Sequence, residues 1–146
     1  MRLTIEDFTY INHQVQQIKA TPTAELTDEV GLSHLLTKIQ ETPATEADVV
    51  QQAATVLTQL LDHPVFAAGN LATAVVATIA FLRASGYEIT EHVPGFFIAL
   101  TDQPLDATNV SSALAPALRE IEAPNDAIHS VFTDEWVLAT VKTLAD

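Results

Sequence analysis

The chain contains no cysteine, and only 6 of its 146 residues are lysine or arginine. The first absence excludes disulfides and thiolate metal sites and fits a reducing, cytoplasmic location. The second, set against 19 acidic residues, leaves a net charge of -13. Nucleic acid is bound by clustered cations that neutralise phosphates. Arg2, Lys19, Lys38, Arg83, Arg119 and Lys142 are scattered instead. An anionic membrane surface is excluded on the same ground. Long apolar runs are missing too. The longest, Leu71 to Leu82, is too short to span a bilayer and is interrupted by Thr73 and Thr78. The opening MRLTIEDFTY has no apolar core of signal-peptide type. Strand-type alternation is nearly absent, and no internal repeat or low-complexity segment stands out.

What remains is apolar and helical. Hydrophobic residues make up 48% of the chain, which argues against disorder. The length suits one domain, residues 1–146, large enough to bury a core. Ile5, Phe8, Ile11, Val15 and Ile18 recur at helical spacing, and Thr4 with Asp7 has the form of a capping box. TPTAEL reads as a loop or small flap. A second helix is predicted over Val30 to Gln40. A third is capped by Thr45 with Asp48 and ends near Asp62. LATAVVATIAFLRASG is apolar on nearly every face, as befits a central helix buried on most sides, with Gly86 as its left-handed stop. YEIT pairs briefly or leads away. PGFFIALTD is a short helix entered through Pro94, and TNVSSALAPALREIE another, kinked or delayed by Pro116. NDAIHSVF is a connection, and TDEWVLATVKTLA a last helix capped by Thr133, with Trp136 as a core or interface anchor. The expected fold is all-α, six to seven helices packed around one central buried helix.

The segment HPVFAAGNLATA, His63 to Ala74, opens that central helix. Gly69 can take a positive φ and lets a ligand approach the backbone. Asn70 is a suitable N-cap, which would leave the amides of Leu71, Ala72 and Thr73 at the positive end of the helix. Gly69, Asn70, Leu71 and Thr73 therefore form a candidate anion- or nucleotide-binding loop. The alternative is that Asn70 only caps the helix and the loop holds nothing.

The same segment resembles the Fic/Doc (death-on-curing) family, whose motif runs His-Pro-Phe-x-Asp/Glu-Gly-Asn-x-Arg at the start of a central helix. In one branch it continues Lys-Arg-Thr-Ala, with the helix ending near Asn-Gly-Tyr. Counted from Asn70, the residues Phe66, Gly69, Thr73 and Ala74 fall in register, and this helix ends Ser85-Gly86-Tyr87. LTIEDFTYINHQV is similar to the family's first helix, and LTDEVGLSHLLTKIQ to its Asp-Glu-Gly-Leu-Leu segment. The resemblance extends from Leu3 to about Ile121.

It implies transfer of a nucleotidyl or phosphoryl group to a protein hydroxyl, with histidine as base, an acid holding magnesium and arginine gripping phosphate. Here the acid position is Ala68, the arginine position is Ala72 and the preceding basic position is Leu71. The histidine position, counted back from Asn70, is Pro64, and His63 stands one residue earlier, as if Val65 were inserted. Losing a single donor to a developing charge commonly costs ~10²–10³ in rate. The expectation is thus a degenerate Fic/Doc-like protein, a pseudoenzyme that needs no cofactor. It would act by binding a protein partner or an antitoxin-like peptide, as in toxin–antitoxin pairs. The alternative is a divergent transferase with His63 as catalytic base, using Mg2+ and ATP, with a metal ligand such as Asp62 or Asp102. No other metal site is expected. His13, His34, His92 and His129 lack ligand spacing, and Asp62 beside His63 makes a poor dyad.

Overall fold

The computed structural model describes residues 3–39, 45–90, 95–102 and 106–144. Among them it is mostly helical. The α-helices are α1 (Ile5–Ile18), α2 (Glu29–Lys38), α3 (Glu46–Asp62), α4 (Asn70–Ala84), α5 (Gly95–Thr101), α6 (Ala107–Leu114), α7 (Ala127–Ser130) and α8 (Glu135–Thr143). That is eight, against the six or seven expected, because NDAIHSVF is not a plain connection. It folds into α7 and a 3-10 turn over Val131–Thr133.

Helix starts follow side-chain chemistry. Thr4 and Asp7 form the reciprocal capping box, with Asp7 N to Thr4 Oγ1 at 3.1 Å and Thr4 N to Asp7 Oδ2 at 2.9 Å. Asp28 caps α2, Thr45 caps α3 and Asp106 caps α6, each accepting an amide three residues on. The cap of α8 is Asp134, not Thr133. Asp134 is extended and accepts from the Trp136 amide at 2.8 Å, while Thr133 still belongs to the preceding turn and donates to Ser130 O. The predicted Gln40 and Pro94 boundaries lie outside the described residues.

Helix α4 is the centre. Every residue from Ala72 to Leu82 is buried, and α1, α3, α7 and α8 pack around it. Small alanines let its neighbours approach closely. Its threonines are tolerated because their hydroxyls find partners: Thr78 donates to Ala74 O at 2.7 Å, the same turn-back that Thr58 makes on α3 and Thr140 on α8. Helix α2 lies on α1, and α6 lies on α3. Trp136 is buried, its ring 6.2 Å from that of Phe97 on α5.

One expected helix, TNVSSALAPALREIE, forms only in its first part, as α6. After α6, the chain makes a 3-10 turn at Ala115–Ala117 around Pro116, and Leu118–Glu120 is then a strand, β2. Proline cannot continue the helical ladder. Strand β2 pairs antiparallel with β1 (Tyr87–Ile89), in register Tyr87↔Glu120, Glu88↔Arg119 and Ile89↔Leu118. Arg119 and Glu88 face each other as an ion pair across this two-stranded ribbon. Gly86 ends α4 with φ 91°, as the sequence suggests. Among the described residues, no helix is long and apolar enough to cross a membrane.

Candidate functional site

The segment between α3 and α4 is held from three directions. His63 closes α3, its amide donating to Gln59 O at 2.9 Å, and the next two residues, Pro64 and Val65, carry the chain into the core. Val65 and Phe66 are buried and act as anchors. Residues 25–28, which begin in the TPTAEL flap (21–26) of the sequence reading, run antiparallel alongside. Val65 O accepts from Thr27 N (2.7 Å), Asp28 N (3.1 Å) and Thr27 Oγ1 (3.0 Å), and Ala67 N donates to Glu25 O at 2.9 Å. The result is an isolated bridge between Leu26 and Phe66.

From the α4 side, Asn70 reaches back over the loop. Its Oδ1 accepts from Phe66 N at 3.0 Å and its Nδ2 donates to Phe66 O at 2.9 Å. This corrects the expected cap. The N-cap of α4 is Gly69, left-handed at φ 76°, and Asn70 is the first helical residue. Asparagine's side chain is spent on the loop, so it cannot also cap the helix. The amide of Thr73 donates to Gly69 O at 2.9 Å, so it belongs to the helix ladder and is not free for an anion.

The third direction is α1. Asn12, fully buried, donates from Nδ2 to Ala68 O at 3.0 Å and to Thr73 Oγ1 at 3.1 Å. Gln16, one turn on, donates to Pro22 O at 3.3 Å and lies against Gly69. A Cβ at Gly69 would stand 2.9 Å from Gln16 Oε1. So the glycine serves both a left-handed turn and a close approach to α1. Neither Asn12 nor Gln16 is among the candidates read from the sequence. Their signal is two amide side chains four apart, beside Ile11 and Val15 on an otherwise apolar helix face.

These contacts border a cleft that His63 does not line. A cavity of about 630 Å³ opens over Pro64, Ala68, Asn70 and Leu71, closed by Ile98 of α5, by Asp102 just after it and by Leu144 at the end of α8. His63 lines a different cavity, on the α2 side. Pro64, which stands at the family's histidine position, is the residue that faces the Asn70 cleft. Asp102 shares the cleft with Asn70 and Leu71, whereas Asp62 lines neither cavity. Ala72 is fully buried beneath the loop, and Leu71 is half-buried at its surface.

The electrostatics follow from the lining. Among the described residues, Asp102 is the one charged residue that lines this cleft, and no cation lines it. Lys19 lines the neighbouring hollow, beyond Ala67 and Ala68, but its Nζ donates to Leu144 O at 2.7 Å, holding the end of α8. Among the described residues, no group of three His, Cys, Asp or Glu is placed to hold a metal ion. Such a cleft suits an apolar body with a positive group near Asp102, and is poorly matched to a triphosphate.

No protein-family model, curated protein or solved structure matches this chain.

Proposed function

We propose that this is a binding domain on a degenerate Fic/Doc-like scaffold. It takes a short helical protein segment, of the antitoxin-like kind, in the cleft at the start of α4, and it carries out no group transfer. The observation that carries this reading is the lining of that cleft. Where the resembled chemistry needs a base, an acid and a phosphate-gripping arginine, this chain has Pro64, Ala68 and Ala72; Pro64 and Ala68 line the cleft with Leu71, Ile98 and Leu144, and Ala72 is buried beneath it. Apolar walls with one carboxylate at the rim favour the apolar face of an amphipathic helix bearing lysine or arginine. The net charge of -13 draws such a segment in and repels nucleotide.

The test uses defined probes in titration calorimetry. One is an amphipathic peptide with leucines at helical spacing and lysines on its polar face. The second has the same leucines with glutamates, and the third is Mg–ATP. The lysine peptide is expected to bind with Kd of roughly 1–100 μM. The glutamate peptide and Mg–ATP are expected to give no saturable heat. Asp102→Lys, at an exposed position, should weaken the lysine peptide about fivefold or more by reversing the rim charge. No binding by the lysine peptide, or binding unchanged in Asp102→Lys, overturns the proposal. Saturable Mg–ATP heat would revive transfer chemistry.

A further inference from the structure

The cleft that His63 does line is independent of the one just described. It lies between α2 and the last turn of α3, measures about 300 Å³ and gathers His34, Lys38 and His63 around Gln59. His34 and Lys38 stand one turn apart on the same face of α2, and His63 faces them from the end of α3. In a chain with 6 lysines and arginines and 5 histidines, three of these side chains meeting in one small hollow is a marked concentration.

Arg83 pairs with Asp134, Arg119 with Glu88 and His129 with Asp126. Lys38 donates instead to a neutral acceptor, Gln59 Oε1, at 3.2 Å. Among the described residues, neither Lys38, His34 nor His63 has an ion pair. Among the described residues, one carboxylate lines the cleft, Asp28, and it is turned back on its own helix. Its Oδ1 accepts from Gly31 N at 2.9 Å, and its carboxyl group folds over the space that a side chain at Gly31 would fill. Gly31 thus makes room for the cap, and its amide takes up one oxygen of the carboxylate that shares the cleft with the other three.

We infer that this cleft binds a small oxyanion of the phosphate or phosphomonoester class. An ammonium supplies three donors, and each imidazole supplies at least one N–H in either protonation state. Terminal phosphate oxygens accept from several donors at once and carry more charge than a carboxylate. The volume admits a phosphate with a small organic body.

The test is an NMR titration that follows the ring signals of His34 and His63. Inorganic phosphate and glycerol phosphate are added separately, with sodium chloride at matched ionic strength as control. Saturable shifts of both rings with phosphate, and none with chloride, are expected. Tighter binding of glycerol phosphate would assign the occupant as a phosphomonoester, and equal binding as free phosphate. Lys38→Met should weaken binding about fivefold, the value of one nearby charge in water. His34→Asn should weaken it in the same direction. These side chains are exposed, so the variants leave the core intact. Shifts that grow linearly without saturation, or saturation unchanged in folded Lys38→Met, overturn the inference.

Discussion

Gly69→Ala tests how the loop before α4 is held. Two costs add. The residue sits at φ 76°, where an L side chain loses about 1–2 kcal/mol. The new Cβ would also meet Gln16 Oε1 at 2.9 Å, Gln16 Cδ at 3.1 Å and Asn12 Nδ2 at 3.2 Å. Crowding of that kind in a packed interior costs about 1–3 kcal/mol. Stiffening the unfolded chain returns about 0.4–1 kcal/mol. The net expectation is a loss of about 2–4 kcal/mol, which lowers Tm by roughly 5–15 °C for a domain of this size. Urea unfolding followed by far-UV circular dichroism and Trp136 fluorescence measures it, with the slope m as the check that both states keep their compactness. Gln16→Ala provides the second arm. It removes the nearest neighbour but not the backbone strain, so Gly69→Ala in that background should cost only about 0.5–1.5 kcal/mol after the same unfolded-state return. A cost below about 0.5 kcal/mol in the parent, or an equal cost in both backgrounds, would refute the close approach of α1 as its cause.

Further substitutions probe the remaining contacts by the same unfolding assay. Asn70→Asp keeps an acceptor for Phe66 N but loses the donor to Phe66 O, and should cost about 1–3 kcal/mol, less any gain from an acid at the start of α4. Thr73→Val removes the hydroxyl that accepts from Asn12 and should cost about 1 kcal/mol, but much less when Asn12→Leu is already present. Asp134→Asn keeps an oxygen for the Trp136 amide and weakens the contact with Arg83. Asp134→Ala loses both and should be the worse by about 1 kcal/mol.

Much of the fold could be read from apolar spacing and caps. Thr4, Thr45 and Gly86 each mark a boundary through local chemistry that needs no distant partner. The burial of α4 followed from a segment with no polar face. Where local rules compete, reading fails. Thr133 and Asp134 are both good caps, and only the preceding 3-10 turn decides between them. Leu118 to Glu120 has the composition of a helix, yet Pro116 releases it and β1 supplies a ladder partner about thirty residues away. At the site, the capping propensity of Asn70 was misleading because a side-chain amide has two ends, and the loop at Phe66 offered complements to both. Asn12 and Gln16 act across 50 residues or more on Ala68, Gly69 and Thr73, a pairing that no sequence period encodes.

The grip of Asn70 on Phe66 also bears on the shape of any partner. Along the bridge to Leu26, the bonds run through Val65 O and Ala67 N. The N–H and C=O of Phe66 therefore point to the opposite edge, where an incoming extended peptide would add itself as another strand. The Asn70 amide already occupies both, imitating one peptide unit of that strand. The edge is closed by a residue of its own chain, the way exposed strands are blunted against unwanted pairing. On the binding reading proposed above, a guest in the neighbouring cleft is recognised by side chains, as a helix face would be. Asn70→Ala would leave the N–H and C=O of Phe66 without these partners and reopen the edge.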